Sequence, residues 1–134
     1  MAGLLACVFP GQGSQRVGML SAVAEAEPVV RETFAEASDA LGYDLWGLAQ
    51  SGPQEELNLT ERTQPLILTG SVALWRVWRA RGGAMPAYMA GHSLGEFSAL
   101  VCAGALGFPD AVRLVRNRGA YMQEAVPVGQ GAMA

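Results

Sequence analysis

The sequence predicts an α/β fold, a parallel sheet flanked by helices, on three observations. A short apolar run, Leu4 to Phe9, leads straight into the glycine-rich turn Pro10-Gly11-Gln12-Gly13-Ser14-Gln15. A second, Tyr88-Met89-Ala90, follows the breaker Pro86 and leads into Gly91-His92-Ser93-Leu94-Gly95. Longer stretches with helical spacing of apolar residues stand between and after them, and strands alternating with helices build parallel sheets that helices cover.

Leu4 to Phe9 reads as a fully buried strand. Helical patterns follow at about Met19 to Ala26 and Pro28 to Leu41, the second with a proline in its first turn and a stop at Gly42. A short segment, Asp44 to Gln50, ends at Ser51-Gly52-Pro53. From about Thr60 to Ala80, the residues Leu66, Leu68, Val72, Leu74, Trp75, Val77 and Trp78 fit a helical stripe that Gly82-Gly83 ends, and the tryptophans read as packing residues. After the second strand, Phe97 to Leu106 is helix-compatible, and Gly107-Phe108-Pro109-Asp110 restarts a helix that reaches about Ala125, before Pro127. Two strands are too few for a complete sheet core. A further strand is expected to begin within Gly129 to Ala134, so these residues are expected to be the first part of a longer protein.

At 134 residues the chain suits one domain, and 51% hydrophobic against 16% charged residues excludes a disordered segment. A net charge of −3 gives no nucleic-acid footprint, and the arginines, spread from Arg16 to Arg118, suit small anions better than a polyanion. Cys7 and Cys102 lie in apolar runs and read as buried small hydrophobes, which fits a reducing, cytoplasmic compartment. The apolar start lacks a basic n-region and breaks at Pro10-Gly11, so it reads as a strand rather than a signal peptide; uncharged stretches such as Gly82 to Gly95 are too short to span a membrane.

Gly91 to Gly95 places a serine between two glycines at a strand-to-helix junction, the layout of a nucleophile elbow. The glycines matter because strand and helix backbones pass close together at such a turn, where a Cβ would collide. Ser93-Leu94-Gly95-Glu96 also reads as a helix capping box, and the two readings overlap. In a doubly wound sheet the loops after both strands face one crevice, so the amides of Gln12 and Leu94 are the natural pair for an oxyanion hole, although Gln12 also reads as an ordinary turn residue. The Gly-Gln-Gly loop lacks the spacing of a phosphate-binding motif. His92 is the one histidine. As the neighbour of Ser93 it leaves the turn in another direction, so it reads as a residue that bonds or packs the turn; a base for Ser93 is then expected outside these residues. Arg113, Arg116 and Arg118 point in several directions around their helix, and each reads first as a solvated charge. One that faced the elbow would bind a carboxylate through two parallel hydrogen bonds.

Taken together, Phe9 to Gln15, Gly91 to Glu96 and Arg118-Gly119 resemble, in order and spacing, the malonyl-CoA:acyl carrier protein transacylases. The stretches Glu32 to Ser38, Leu41 to Trp46 and Thr63-Gln64-Pro65 are similar to the bacterial stand-alone enzyme. The resemblance implies the first part of an α/β-hydrolase-like core over 1–126 and the start of a ferredoxin-like insert over 127–134. It implies Ser93 as nucleophile, Gln12 and Leu94 as amide donors, and Arg118 as the partner of a malonyl carboxylate. The implied reaction moves a malonyl group from malonyl-CoA to the phosphopantetheine thiol of acyl carrier protein, in fatty acid biosynthesis, with no bound cofactor, metal, nucleic acid or membrane. The family's catalytic histidine would follow the insert, so the 134 residues alone are expected to be poorly active or inactive. Two alternatives stay open. A serine esterase or thioesterase would release free malonate and leaves the Gln12 loop and Arg118 without a role. A non-catalytic carrier-binding segment would use Ser93 only as a cap.

Overall fold

The structure, a computed structural model, describes residues 3–132. Two short strands, β1 (Ala6–Phe9) and β2 (Tyr88–Gly91), lie side by side and parallel, with Ala6 opposite Tyr88 and Phe9 opposite Gly91. Between them the chain forms α1 (Ser21–Ala26), α2 (Pro28–Leu41), α3 (Leu45–Ser51), α4 (Gln54–Leu57) and α5 (Thr60–Ala80); α6 (Leu94–Cys102) and α7 (Phe108–Ala125) follow β2. The parallel pairing is the one the alternation of elements requires, since antiparallel neighbours need no such crossover.

The helices begin and end where their punctuation lies. Pro28 opens α2, and Gly42 ends it with φ 83°, a conformation that costs glycine nothing. The Asp44 carboxylate accepts from the Gly47 amide at 3.0 Å and caps α3. The single turn α4 was not foreseen from the sequence, because four residues after a proline carry no periodicity to read.

Helix α5 departs from the expected stripe. Every residue from Thr63 to Ala73 is buried, so this half of the helix is enclosed on all sides, the mark of a central helix. It packs against α2, α6 and α7, and the core of Phe34, Leu45, Leu57, Leu66, Leu68, Leu94, Val112 and Val115 forms around it. Only beyond Ala73 does α5 become one-sided, with Leu74 43% and Trp78 44% exposed. The tryptophans do pack: Trp46 meets Phe34 edge-on at 5.0 Å, Trp75 lies against the core, and Trp78 rests on Gly83 while its indole N–H donates to the Ala84 carbonyl at 2.9 Å.

The strands depart from expectation as well. They are not fully buried: alternation sends Phe9 and Met89 against the helices and leaves Val8 78% and Tyr88 66% exposed on the other face. Among the described residues the helices cover one face of the sheet only. Residues 127–132 form a turn, closed by the Gln130 amide on the Pro127 carbonyl at 3.1 Å, and no strand; the rest of the expected strand, 133–134, lies outside the described residues. No helix among the described residues is long and apolar enough to cross a membrane.

Cys102 is buried as expected, whereas Cys7 on β1 is half-buried, and both are free. Desolvation, with a smaller contribution from nearby Cys7, pushes the Cys102 thiol up to about 12. A raised folded-state value favours folding below the unfolded value and loses that contribution as pH rises through the interval between the two. Iodoacetamide at pH 8 is therefore expected to leave Cys102 unmodified in the native chain and to label it in urea, as peptide mass spectrometry would show; native labelling at the unfolded rate would contradict the burial.

Candidate active site

β2 ends at Gly91 and α6 begins at Leu94, so His92 and Ser93 alone make the turn between strand and helix. The chain passes because two positions lack a Cβ. One built on Gly91 would overlap the Gly95 carbonyl group, and one built on Gly95 would overlap the Phe9 carbonyl oxygen of β1. Ser93 pays for the sharpness with φ 54° and ψ −112°, a left-handed conformation rare outside glycine. Strain of about 1–3 kcal/mol at one residue persists only where the surroundings enforce it.

The capping-box reading is not borne out. Gly95 and Glu96 amides donate to the main-chain carbonyls of His92 at 2.9 Å and Ser93 at 3.1 Å, and the serine side chain caps nothing. Its Oγ accepts instead from Nη2 of Arg118 at 3.0 Å. Because a guanidinium only donates, this contact leaves the hydroxyl proton free to pass to a base.

Arg118 thus faces the elbow rather than solvent. Nη1 donates to Oε1 of Gln64 at 2.9 Å, and the guanidinium carbon lies 5.4 Å from the centre of the Phe97 ring. The position depends on Gly119, where a Cβ would come within 2.6 Å of the Thr60 carbonyl oxygen; its absence lets α7 close onto the first turn of α5. The neighbouring arginines do other things, Arg113 pairing with Asp110 at 3.2 Å on the surface. The apolar residues Tyr121 and Met122 near the end of α7 are 70% and 39% exposed.

The loop after β1 and the elbow do meet. A Cβ on Gly11 would sit 2.9 Å from the His92 carbonyl oxygen. Leu94 opens α6, so its amide has no partner within the helix, and its fully buried side chain anchors it. The Gln12 side chain donates to Oγ1 of Thr60 at 3.3 Å, tying the loop to α5. Gln12, Thr60, His92, Ser93, Met122 and Gln123 line an open cleft of about 760 Å³. His92 differs from expectation: its main chain builds the turn, but its side chain is exposed, lines the cleft, and makes no hydrogen bond among the described residues. Among those residues no cluster of His, Cys, Asp and Glu could hold a metal ion.

Sequence reading did not single out Thr60, Gln64 or Phe97 as site residues. Gln64, beside the apolar run Leu66 to Leu68, was the one available signal, since a buried amide needs partners.

The sequence profile of the acyl transferase domain matches residues 6–134. The chain belongs to the acyl transferase domain family. It is 70% identical over 129 residues to a malonyl CoA-acyl carrier protein transacylase of Salmonella typhimurium, a match covering 96% of this chain and 42% of that one. Among solved structures, an acyl carrier protein S-malonyltransferase from Vibrio cholerae superposes with a TM-score of 0.90 at 63% identity, over 92% of this chain and 40% of the other. A malonyl-transacylase solved in complex with a type II PKS acyl-carrier protein superposes with a TM-score of 0.89 at 66% identity, over 91% and 40%. This acyl transferase chain therefore spans about 42% of the length of the curated relatives it matches.

Proposed function

We propose that this chain carries the nucleophile half of a malonyl transferase that works through a malonyl-serine intermediate. The observation that carries the reading is the contact of Arg118 with Ser93 at 3.0 Å. In a malonyl thioester the carboxylate carbon lies about 2.5 Å from the reacting carbonyl carbon, two C–C bonds away. A carboxylate held by Arg118 therefore brings that carbonyl next to Oγ. An acetyl group has nothing to offer the guanidinium and leaves a charge unpaired.

Ser93 Oγ attacks the thioester carbonyl, the proton goes to a base, and CoA leaves as its thiol. The phosphopantetheine thiol of acyl carrier protein then attacks the malonyl ester and returns the serine. The amides of Gln12 and Leu94 receive the oxyanion in both steps. Neither Arg118, which only donates, nor His92, whose side chain makes no hydrogen bond to Ser93, serves as the base, which we place in residues beyond these 134, within an α/β-hydrolase-like core of the longer type. The place of such a reaction is fatty acid biosynthesis in the cytoplasm, with no cofactor held by the protein.

The test joins these residues to the remainder of the Escherichia coli malonyl CoA-acyl carrier protein transacylase, 70% identical over 129 residues. Malonyl-CoA should leave a malonyl group on the peptide containing Ser93, and acyl carrier protein should discharge it. Release of free malonate without carrier would indicate a hydrolase instead. In the same joined chain, Arg118→Ala is expected to lower kcat/KM for malonyl-CoA about 100-fold or more, the loss of two charge-assisted hydrogen bonds. The preference over acetyl-CoA should fall with it. An unchanged preference would remove Arg118 from carboxylate recognition.

A further inference from the structure

We infer that Gln64 is the positioning residue for Arg118: its neutral amide oxygen fixes the guanidinium toward Ser93 without cancelling the charge that a substrate carboxylate needs. The inference rests on the malonyl-transfer reading and concerns how that site keeps its arginine available.

Gln64 is only 1% exposed, on the enclosed half of α5. Both ends of its amide are held, Oε1 by Nη1 of Arg118 at 2.9 Å and Nε2 against the Met122 sulfur at 3.0 Å. The orientation follows from chemistry, since arginine has no acceptor and only the amide oxygen can face it. The usual partner of a part-buried arginine is a carboxylate. Four ion pairs occur among the described residues, and they use Arg62, Arg76, Arg81 and Arg113, not Arg118. Arg118 is instead held by three uncharged groups, the Gln64 amide, the Ser93 hydroxyl and the Phe97 ring. Its full charge therefore remains for a ligand.

The same face of α5 acts on the other side of the cleft. Thr60, one turn before Gln64, accepts from the Gln12 side chain, and residues four apart on a helix share a face. One rigid turn thus locates both the loop that carries the Gln12 amide and the arginine.

Two substitutions separate positioning from mere packing. Gln64→Glu keeps the shape and hands Arg118 a permanent anion that competes with the substrate. Gln64→Leu keeps nearly the volume and removes the acceptor, leaving the guanidinium to turn away. In the joined chain, with malonyl-CoA and acetyl-CoA compared, both should lower the malonyl-to-acetyl ratio of kcat/KM about tenfold or more, with the loss in KM for malonyl-CoA. A packing role would lower the melting temperature and leave that ratio where it was. If the unsubstituted joined chain transfers no malonyl group, the functional reading fails and this inference with it. If it does transfer, and whichever of the two variants folds keeps the ratio within about threefold, Gln64 does not position the arginine.

Discussion

Ser93→Ala in the joined chain is expected to reduce malonyl transfer by about a thousandfold or more, the scale on which losing an activated nucleophile falls. Malonyl-CoA should leave no covalent adduct on it. The fold should be nearly indifferent, because Ser93 is exposed and its side chain makes one hydrogen bond, to Arg118. A surface change of this kind moves stability by about 1 kcal/mol at most. The combination discriminates between readings. A serine that merely shaped the turn would give the reverse pattern, a less stable chain that still transfers. Transfer within about tenfold of the parent would sink the nucleophile assignment, since residual catalysis by an oxyanion hole and an arginine alone cannot approach it.

Most of the helices were legible from the sequence because they are bounded by local chemistry. Pro28 and Gly42 frame α2, Thr60 and the Gly82-Gly83 pair frame α5, and α7 runs from Phe108 to Ala125, just short of Pro127. Ser93 was legible for a related reason: its strained turn needs glycine on both flanks, and that need is written within five residues. What the sequence could not show is what depends on two distant segments meeting. Gln64 reaches Arg118 across 54 positions and Gln12 reaches Thr60 across 48, pairings set by the closure of α7 and the first loop onto α5. The end of α6 was the harder bound: the helix stops at Cys102, short of Leu106, where Gly104 takes φ 80° and turns the chain out of the helix. The exposure of Val8 and Tyr88 escaped for a different reason: apolar strand residues imply a cover, and among the described residues only one face of the sheet has one.

Gly91→Ala and Gly95→Ala are expected to destabilise the joined chain by about 3 kcal/mol or more each and to abolish adduct formation at Ser93. The argument turns on what the new methyl group would strike. At Gly91 it enters the Gly95 carbonyl and the Glu96 amide, the first turn of α6; at Gly95 it enters the Phe9 carbonyl at the end of β1. All of these are main-chain atoms in regular elements, so no side chain can rotate away and the elbow must lift off the sheet. Gly70 supplies the control, buried in α5 with a Cβ that would come 3.3 Å from a Leu20 methyl and 3.5 Å from a Met19 methyl. Flexible ends yield at little cost, and alanine gains up to about 1 kcal/mol over glycine inside a helix. Gly70→Ala should therefore leave the urea midpoint level or slightly raised, while the two elbow variants move it down. Equal midpoints for all three would mean that the close crossing of β1, β2 and α6 does not hold Ser93 in its strained turn, and the exposed hydroxyl would need another explanation.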